Sequence, residues 1–505
     1  MSTEKIQQTA NEFNTYVRRM KQMHEAIQLI QWDMSALIPK QGVAQRAEVV
    51  GMLSGDLFAM QTSDQMGEYL EVLSTPDALE LLDPITRASV LDRKEEYERD
   101  KSIPPDKFRE YVVLTQTAES AWAEAKQNND FELFRPYLEK IVGIIREFIE
   151  IWGYKDNKYD TLLSKYEPGL TVAKLDAIFG GLREKTIELL KRVTEKEQVG
   201  RSFLHQYFAK EEQVKYSRYM LEQLGFDFSK GRFDESPHPF AIGLNPNDVR
   251  ITTFYFDHDI TQSLFGTIHE FGHAIYEQNV SHDLVGTFLA TGTSMGIHES
   301  QSRFWENMIG RSREFWQHHF AGLLEHFPAQ FADVNAADFY KAINYVEPSL
   351  IRVDADELTY NLHIMLRYEI EKDLINGKIE VKDLPEIWAN KIEEYVGVRP
   401  EDHATGVLQD IHWSGGAFGY FSSYSLGNIY AAQLENTLKQ EIPNYREQVA
   451  AGDVTEVLAW LNEKVYKHGK MLTPGQIMTE ATGEEINSEY LVAYLEEKFK
   501  DIYGI

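Results

Sequence analysis

The chain contains no cysteine. That absence removes a disulfide framework, a thiolate metal site, an iron–sulfur cluster and a cysteine nucleophile together. Any bound metal must therefore be held by histidines and carboxylates. No stretch comes near the roughly 18 consecutive apolar residues of a membrane span. The opening residues, MSTEKIQQTANEFNTY, have no basic segment leading into an apolar one, so no signal peptide is expected and a cytoplasmic location is. Positive charge is also scarce: 51 Lys and Arg face 80 Asp and Glu, a net charge of −29. That balance is poorly suited to phosphate backbones and to anionic lipid, so neither nucleic acid nor a membrane is expected as a partner. It reads first as a solvated surface.

What is present is a chain of 505 residues, 43% of them apolar, enough to bury a large core. Length alone suggests about three domains, yet no break is long or biased enough to be a linker, and there is no internal repeat. The periodicity is helical almost throughout. Residues 4–38 read as one amphipathic helix, with Phe13, Tyr16, Met20, Met23, Ile27, Ile30 and Met34 near helical spacing and Pro39 as its stop. A second helix follows to about residue 62, and breaks fall near Asp83-Pro84, Pro104-Pro105, Asn128–Asp130 and Gly153–Asp160. The stretch from Arg232 to Asp257 differs. It is rich in Pro, Gly and Asn and ends in Val249–Phe256, whose β-branched and aromatic residues predict a strand in a small sheet. Helical periodicity resumes near Thr261, with interruptions expected at Gly286–Gly296 and Gly415–Gly427. The fold class expected is mostly α, one large helical unit with a small β-sheet insert.

Within the helix predicted after Thr261 stands His269-Glu270-Phe271-Gly272-His273, an H-E-x-x-H pattern. Leu264, Ile268, Phe271 and Ile275 form an apolar stripe that supports the helix independently. His269 and His273 lie one turn apart on one face and can reach a single ion. Glu270 sits about 100° round from His269, beside the open coordination position rather than in it. Gly272 costs roughly 1 kcal/mol in a helix interior, a sign that something packs closely there. With 15 histidines in the chain, the pentapeptide arises by accident at roughly a few per cent. A tetrahedral catalytic zinc site needs a third protein ligand. Glu299, near the start of the next helical pattern, is the favoured candidate, with His298 as rival; Phe304, Trp305, Met308 and Ile309 form that helix's apolar side.

Further motifs are scattered around this one: Trp32-Asp33 with Pro39, His238-Pro239-Phe240, Asp248-Val249-Arg250-Ile251-Thr252, His298-Glu299-Ser300-Gln301, Ile351-Arg352-Val353-Asp354-Ala355-Asp356, and Gly406-Val407-Leu408-Gln409-Asp410-Ile411-His412-Trp413. In this order the chain resembles the carboxypeptidase Taq family of zinc metallocarboxypeptidases, over much of its length and with no departure at the metal positions. The resemblance implies a mostly helical fold with a deep groove between two lobes. These would be an N-terminal helical lobe of roughly residues 1–230 and a zinc-site lobe of roughly 231–505, forming one catalytic unit. It also implies a homodimer, one zinc per chain with cobalt as a substitute, and stepwise release of amino acids from peptides with a free C-terminus.

On that footing His269, His273 and Glu299 hold the metal and Glu270 is the general base. The glycine-rich run after His412 supplies a phenolic donor to the developing oxyanion. Tyr420 is favoured by the resemblance and Tyr424 is second, and the alternative for each is ordinary aromatic packing. His412 is a further donor or else a hydrogen-bonded core histidine. Arg352 is either the clamp on the substrate carboxylate or the partner of Asp354 or Asp356, the clamp being favoured on the motif. Arg250 would close the groove or pair with Asp248, and His238 is a candidate for lining the same region. Two rival functions use the same residues: a zinc endopeptidase or oligopeptidase, and a helical binding protein whose H-E-x-x-H is incidental.

Overall fold

The computed structural model describes residues 2–505. It opens with α1 (Thr3–Ala36), which begins where the Ser2 hydroxyl accepts from the Lys5 N–H, and ends ahead of Pro39. After it come α2 (Val43–Gln61), α3 (Asp64–Leu73), α4 (Pro76–Leu81) and α5 (Pro84–Ser102). Phe13, Val17 and Met20 of α1 bury their side chains with Leu70 and Leu73 of α3, Ala78 of α4 and Val90 of α5, a small core of its own. α2 buries none of its residues.

The main body continues through α6 (Pro105–Asn128), α7 (Phe131–Trp152), α8 (Asp160–Tyr166), α9 (Val172–Thr194) and α10 (Lys210–Leu224). On α7, Phe134, Leu138, Ile141, Ile145 and Ile149 recur at helical spacing and are buried together. One apolar core runs from Ala118 to Ile502 and unites everything from α6 onward.

The small sheet follows α10. β1 (Gly231–Glu235) and β2 (Ala241–Asn245) flank β3 (Asp248–Thr253), β1 parallel to it and β2 antiparallel. The strand expected at Val249–Phe256 thus starts one residue earlier and ends three residues earlier. Glu235 closes β1 opposite Thr253, so no partner strand remains to carry the ladder further. Val249 and Ile251 point into the core, while Arg250, on the opposite face, stacks over the Trp32 ring at 4.3 Å.

α11 (Ile260–Asn279) starts where the Asp259 carboxylate accepts from the Thr261 N–H at 2.9 Å. α12 (Met295–Arg303) starts at the Ser294 hydroxyl, which accepts from Ile297 N–H at 3.0 Å. A π-helical segment, Phe304–Gly310, extends α12, and no feature of the sequence had marked it. The chain then passes through α13 (Arg313–His326), α14 (Pro328–Phe331), α15 (Ala336–Ala342), α16 (Tyr360–Ile375), α17 (Leu384–Val396) and α18 (Ser422–Glu441). It closes with α19 (Tyr445–Ala450), α20 (Thr455–Lys464), α21 (Pro474–Thr482) and α22 (Glu489–Tyr503). The break expected over Gly415–Gly427 ends early, because α18 resumes at Ser422 and takes Gly427 into its interior. The reason is steric and concerns the site. Among the described residues no helix is long and apolar enough to cross a membrane.

Candidate metal centre

Two glycines let helices crowd the site: α12 meets α11 at Gly272 and α18 at Gly427. A Cβ on Gly272 would lie 2.4 Å from the Gln301 carbonyl oxygen and 2.5 Å from Ser302 Cα, so only glycine lets the two backbones approach this closely. Across the site, a Cβ on Gly427 of α18 would lie 2.4 Å from Glu299 Cγ. The propensity cost of each glycine is thus traded for close packing around the two histidines and Glu299.

The consequence is convergence. His269 Nε2 lies 3.6 Å and His273 Nε2 3.4 Å from Glu299 Oε2. A tetrahedral ion with bonds of about 2.0–2.1 Å separates its ligand atoms by roughly 3.3 Å, so these spacings suit one small cation. Among the described residues these three form the group able to hold it, every ligand atom lying within 4.8 Å of the others. Their other polar atoms are taken. His269 Nδ1 is 2.9 Å from Glu306 Oε2, His273 Nδ1 is 2.7 Å from His298 Nδ1, and Arg303 Nε donates to Glu299 Oε1 at 2.7 Å. Each residue therefore presents one free ligand atom, touched at Glu299 only by the Ser302 hydroxyl at 3.1 Å. His298, the rival ligand in the sequence, stands behind His273.

Charge in this buried cluster is arranged in pairs. Glu306 takes Arg311 at 3.0 Å and Arg303 at 3.4 Å. Burial opposes ionisation of Glu299 and Glu306, but Arg303 and the adjoining histidines hold both carboxyls well below the usual range. Burial pushes His273 down to about 4, leaving it neutral with a lone pair to offer, whereas Glu299 and Glu306 raise His269 against the same burial. Burial pushes Glu270 up to about 7, and no side-chain hydrogen bond holds its carboxyl among the described residues.

The predicted tyrosines gather beside this cluster. Tyr420 and Tyr424 pack edge to face at 5.3 Å, His412 stacks beside Tyr420 at 5.6 Å with the rings inclined by 30°, and His412 Nε2 is 3.3 Å from the Tyr424 hydroxyl. Tyr430, on the same run, turns away and donates to the buried Glu167 at 2.8 Å. Arg352 pairs with neither Asp354 nor Asp356. Its Nε and Nη2 donate to Asp410 Oδ1 at 3.0 and 2.8 Å, and its Nη1 donates to the Tyr360 hydroxyl at 3.2 Å. Asp356 is occupied locally, accepting from the Leu358 and Thr359 backbone and the Thr359 hydroxyl. The other oxygen of Asp410 takes Arg367, which is fully buried on α16. Arg250 makes the pair with Asp248, two bonds of 2.8 Å each, and His238 is exposed at the sheet's edge.

Several of these partners escaped the sequence reading. Glu306 lies seven residues past Glu299, close to the same helical face, a spacing that could have flagged it. Arg303 lies four residues past Glu299 and three before Glu306, ion-pair spacings on a helix that could likewise have flagged it, whereas nothing in the local sequence marks Glu277, Tyr360 or Arg367, whose partners lie on distant elements.

The profile of the carboxypeptidase Taq (M32) metallopeptidases matches residues 12–499. Carboxypeptidase 1 of Bacillus subtilis is 47% identical over 493 residues, spanning 97% of this chain and 98% of that protein. Thermostable carboxypeptidase 1 of Thermus thermophilus is 38% identical over 491 residues, 94% of this chain and 95% of that one. The crystal structure of the M32 carboxypeptidase from Deinococcus radiodurans R1 superposes with a TM-score of 0.96 at 34% identity, covering 99% of this chain and 100% of the other. The chain belongs to the carboxypeptidase Taq (M32) family of metallopeptidases and is a metallocarboxypeptidase.

Proposed function

We propose that the chain releases amino acids one at a time from the free C-terminus of peptides, with broad specificity, using one zinc ion held by His269, His273 and Glu299. The observation that carries this is the meeting of three ligand atoms, engaged otherwise only by the Ser302 hydroxyl on Glu299, at spacings that suit one tetrahedral ion. Two imidazoles and one carboxylate suit zinc, and cobalt can substitute. When bound there, the ion supplies Lewis-acid polarisation of the scissile carbonyl and of the attacking water.

The chain's own groups do the rest. Glu270, beside the ligands, takes the proton from water and returns it to the leaving amine. Tyr420, with Tyr424 as the alternative, donates to the carbonyl oxygen as its charge grows, and His412 orders the pair. Arg352 receives the terminal carboxylate. Two guanidiniums, Arg352 and Arg367, share the single carboxylate of Asp410. The buried triad keeps one positive charge in excess, which favours an anion at that end of the substrate. Arg250 and His238, on and beside the sheet, are proposed to limit how far a peptide enters. The groove is taken to lie between a helical lobe of about 1–230 and a metal-bearing lobe of about 231–505, although the apolar core crosses that line. Association into a homodimer in the cytoplasm is proposed as well, supported by the exposed apolar residues Val49, Met52 and Phe58 on α2.

Metal analysis should find about one zinc per chain, lost in His269→Ala. Time-resolved mass spectrometry of one peptide, unblocked and C-terminally amidated, tests the rest. Stepwise shortening of the free form alone is expected; equal cleavage of both forms means an endopeptidase. Glu270→Gln should keep the metal and lose at least roughly 100-fold in kcat.

A further inference from the structure

His298 and Glu277 have no part in the chemistry above, yet His298, half-buried, touches the ligand His273, and Glu277, buried, holds His298 from behind. Glu277 Oε1 accepts from the Thr291 hydroxyl at 2.8 Å and from the Gly292 N–H at 2.9 Å, and it lies 2.9 Å from His298 Nε2. Both Thr291 and Gly292 can only be donors there, and a carboxylate oxygen carries no proton to give, so His298 Nε2 must donate as well. In a neutral His298 the other ring nitrogen then has a lone pair, and it faces His273 Nδ1 at 2.7 Å. His273 must donate through Nδ1, which leaves the lone pair of its Nε2 directed at Glu299. The reverse assignment would leave His298 Nε2 without a proton for Glu277 and place the proton of His273 on Nε2, the atom needed for ligation. For a neutral His298 only one direction of the chain is consistent with both bonds and keeps His273 Nε2 free for a metal.

The surroundings are shaped to hold this arrangement. A Cβ on Gly292 would lie 2.6 Å from His298 Cδ2, and one on Gly243 would lie 2.5 Å from Glu277 Oε2. Tyr276 packs against the His298 ring with centroids 5.2 Å apart. Glu277 is only 5% exposed, and the field of its charge reaches Lys21, itself buried on α1, countering the burial that lowers that ammonium. The pair therefore joins α11 to α12, with the Lys21 charge of α1 within its field.

We infer that His298 and Glu277 are positioning residues, a carboxylate–imidazole pair that sets the tautomer and ring orientation of His273 and so its affinity for the metal. His269 has its carboxylate, Glu306, in direct contact, whereas His273 reaches its own through an intervening histidine. The inference rests on the metal-site reading, and the test separates the two. In the full chain, zinc is titrated against a chromophoric chelator for the parent, His273→Ala, His298→Leu, His298→Asn and Glu277→Gln, with circular dichroism recording the fold. His298→Leu should weaken zinc binding by roughly 10–100-fold, the range for loss of a ligand's supporting partner. His298→Asn, whose carbonyl oxygen can accept from His273 Nδ1, should recover most of that loss. Glu277→Gln keeps an acceptor for His298 and should fall between them. If His298→Leu binds zinc as the parent does, or if asparagine is no better than leucine in folded protein, the pair does not position His273. Should the leucine variant fail to fold, the relay stands or falls on Glu277→Gln, where parent-like zinc affinity would overturn it. A parent whose zinc binding is indifferent to His273→Ala would instead overturn the metal-site reading itself.

Discussion

Replacing Gly427 by alanine adds one methyl group where α18 crosses α12. Built on the observed backbone, that carbon falls 2.4 Å from Glu299 Cγ and 2.8 Å from Glu299 Cβ. Carbon atoms settle at about 3.5–4.0 Å, so Glu299 must retreat by more than about 1 Å. Metal–ligand distances tolerate only about 0.2 Å, so Glu299 can no longer meet His269 and His273 at one point. The stability cost is modest by comparison. Overpacking costs about 1–3 kcal/mol, and removing a glycine from a helix interior returns about 1 kcal/mol. For 505 residues, about 2.1 cal/mol/K per residue makes 1 kcal/mol worth roughly 1 °C. Gly427→Ala should therefore lower Tm by no more than about 2 °C while weakening zinc binding by roughly 10–100-fold. Gly181→Ala serves as the control, since nothing lies within 4 Å of a Cβ there; it should leave zinc binding unchanged and raise Tm slightly. Calorimetry of the metal-free proteins and chelator competition give the two quantities separately. Parent-like zinc affinity in Gly427→Ala would refute the claim that this contact places Glu299.

Two other perturbations bear on the remainder of the site. Asp410→Asn removes the charge shared by Arg352 and Arg367, leaving two buried guanidiniums opposed. Thermal unfolding should show a loss of about 3–5 kcal/mol, with KM rising more than kcat falls on free-C-terminus peptides; an unchanged KM would detach the triad from substrate binding. Glu371 is fully buried beneath Tyr159, Trp413 and the Gly419 N–H, and burial pushes its carboxyl up to about 7. Its folded value is above its unfolded one. The stabilisation it contributes is complete below about pH 4.5 and is lost as pH rises through about 7. Glu371→Gln should therefore flatten the fall of Tm between pH 5 and pH 8 measured on metal-free protein, and an unaltered slope would show that this carboxyl ionises normally.

The chemistry was written locally. H-E-x-x-H places two imidazoles on one turn of helix whatever lies around it, and the absence of cysteine left only His and carboxylate for the third ligand. The long helices and the β-branched strand were legible for the same reason, since 3.6-residue and two-residue periods survive in any tertiary context. What depended on the folded body was every contact between distant segments. Gly427 looked like a helix breaker until Glu299 occupied the space where its side chain would be. Sequence left Arg352 as a carboxylate clamp or a partner of the acids two and four residues on; in the fold Asp356 has closer donors in its own turn, and Asp410 is brought to Arg352 from another segment. The π-helical turn that carries Glu306 up to His269 has no sequence signature, because it is stabilised by the ion pairs and packing it makes. Local periodicity determined that two imidazoles share one helix face where they can meet one ion. Packing among α11, α12, α16 and α18 decided how each is oriented, because orientation at this precision is set by neighbours that local sequence does not contain.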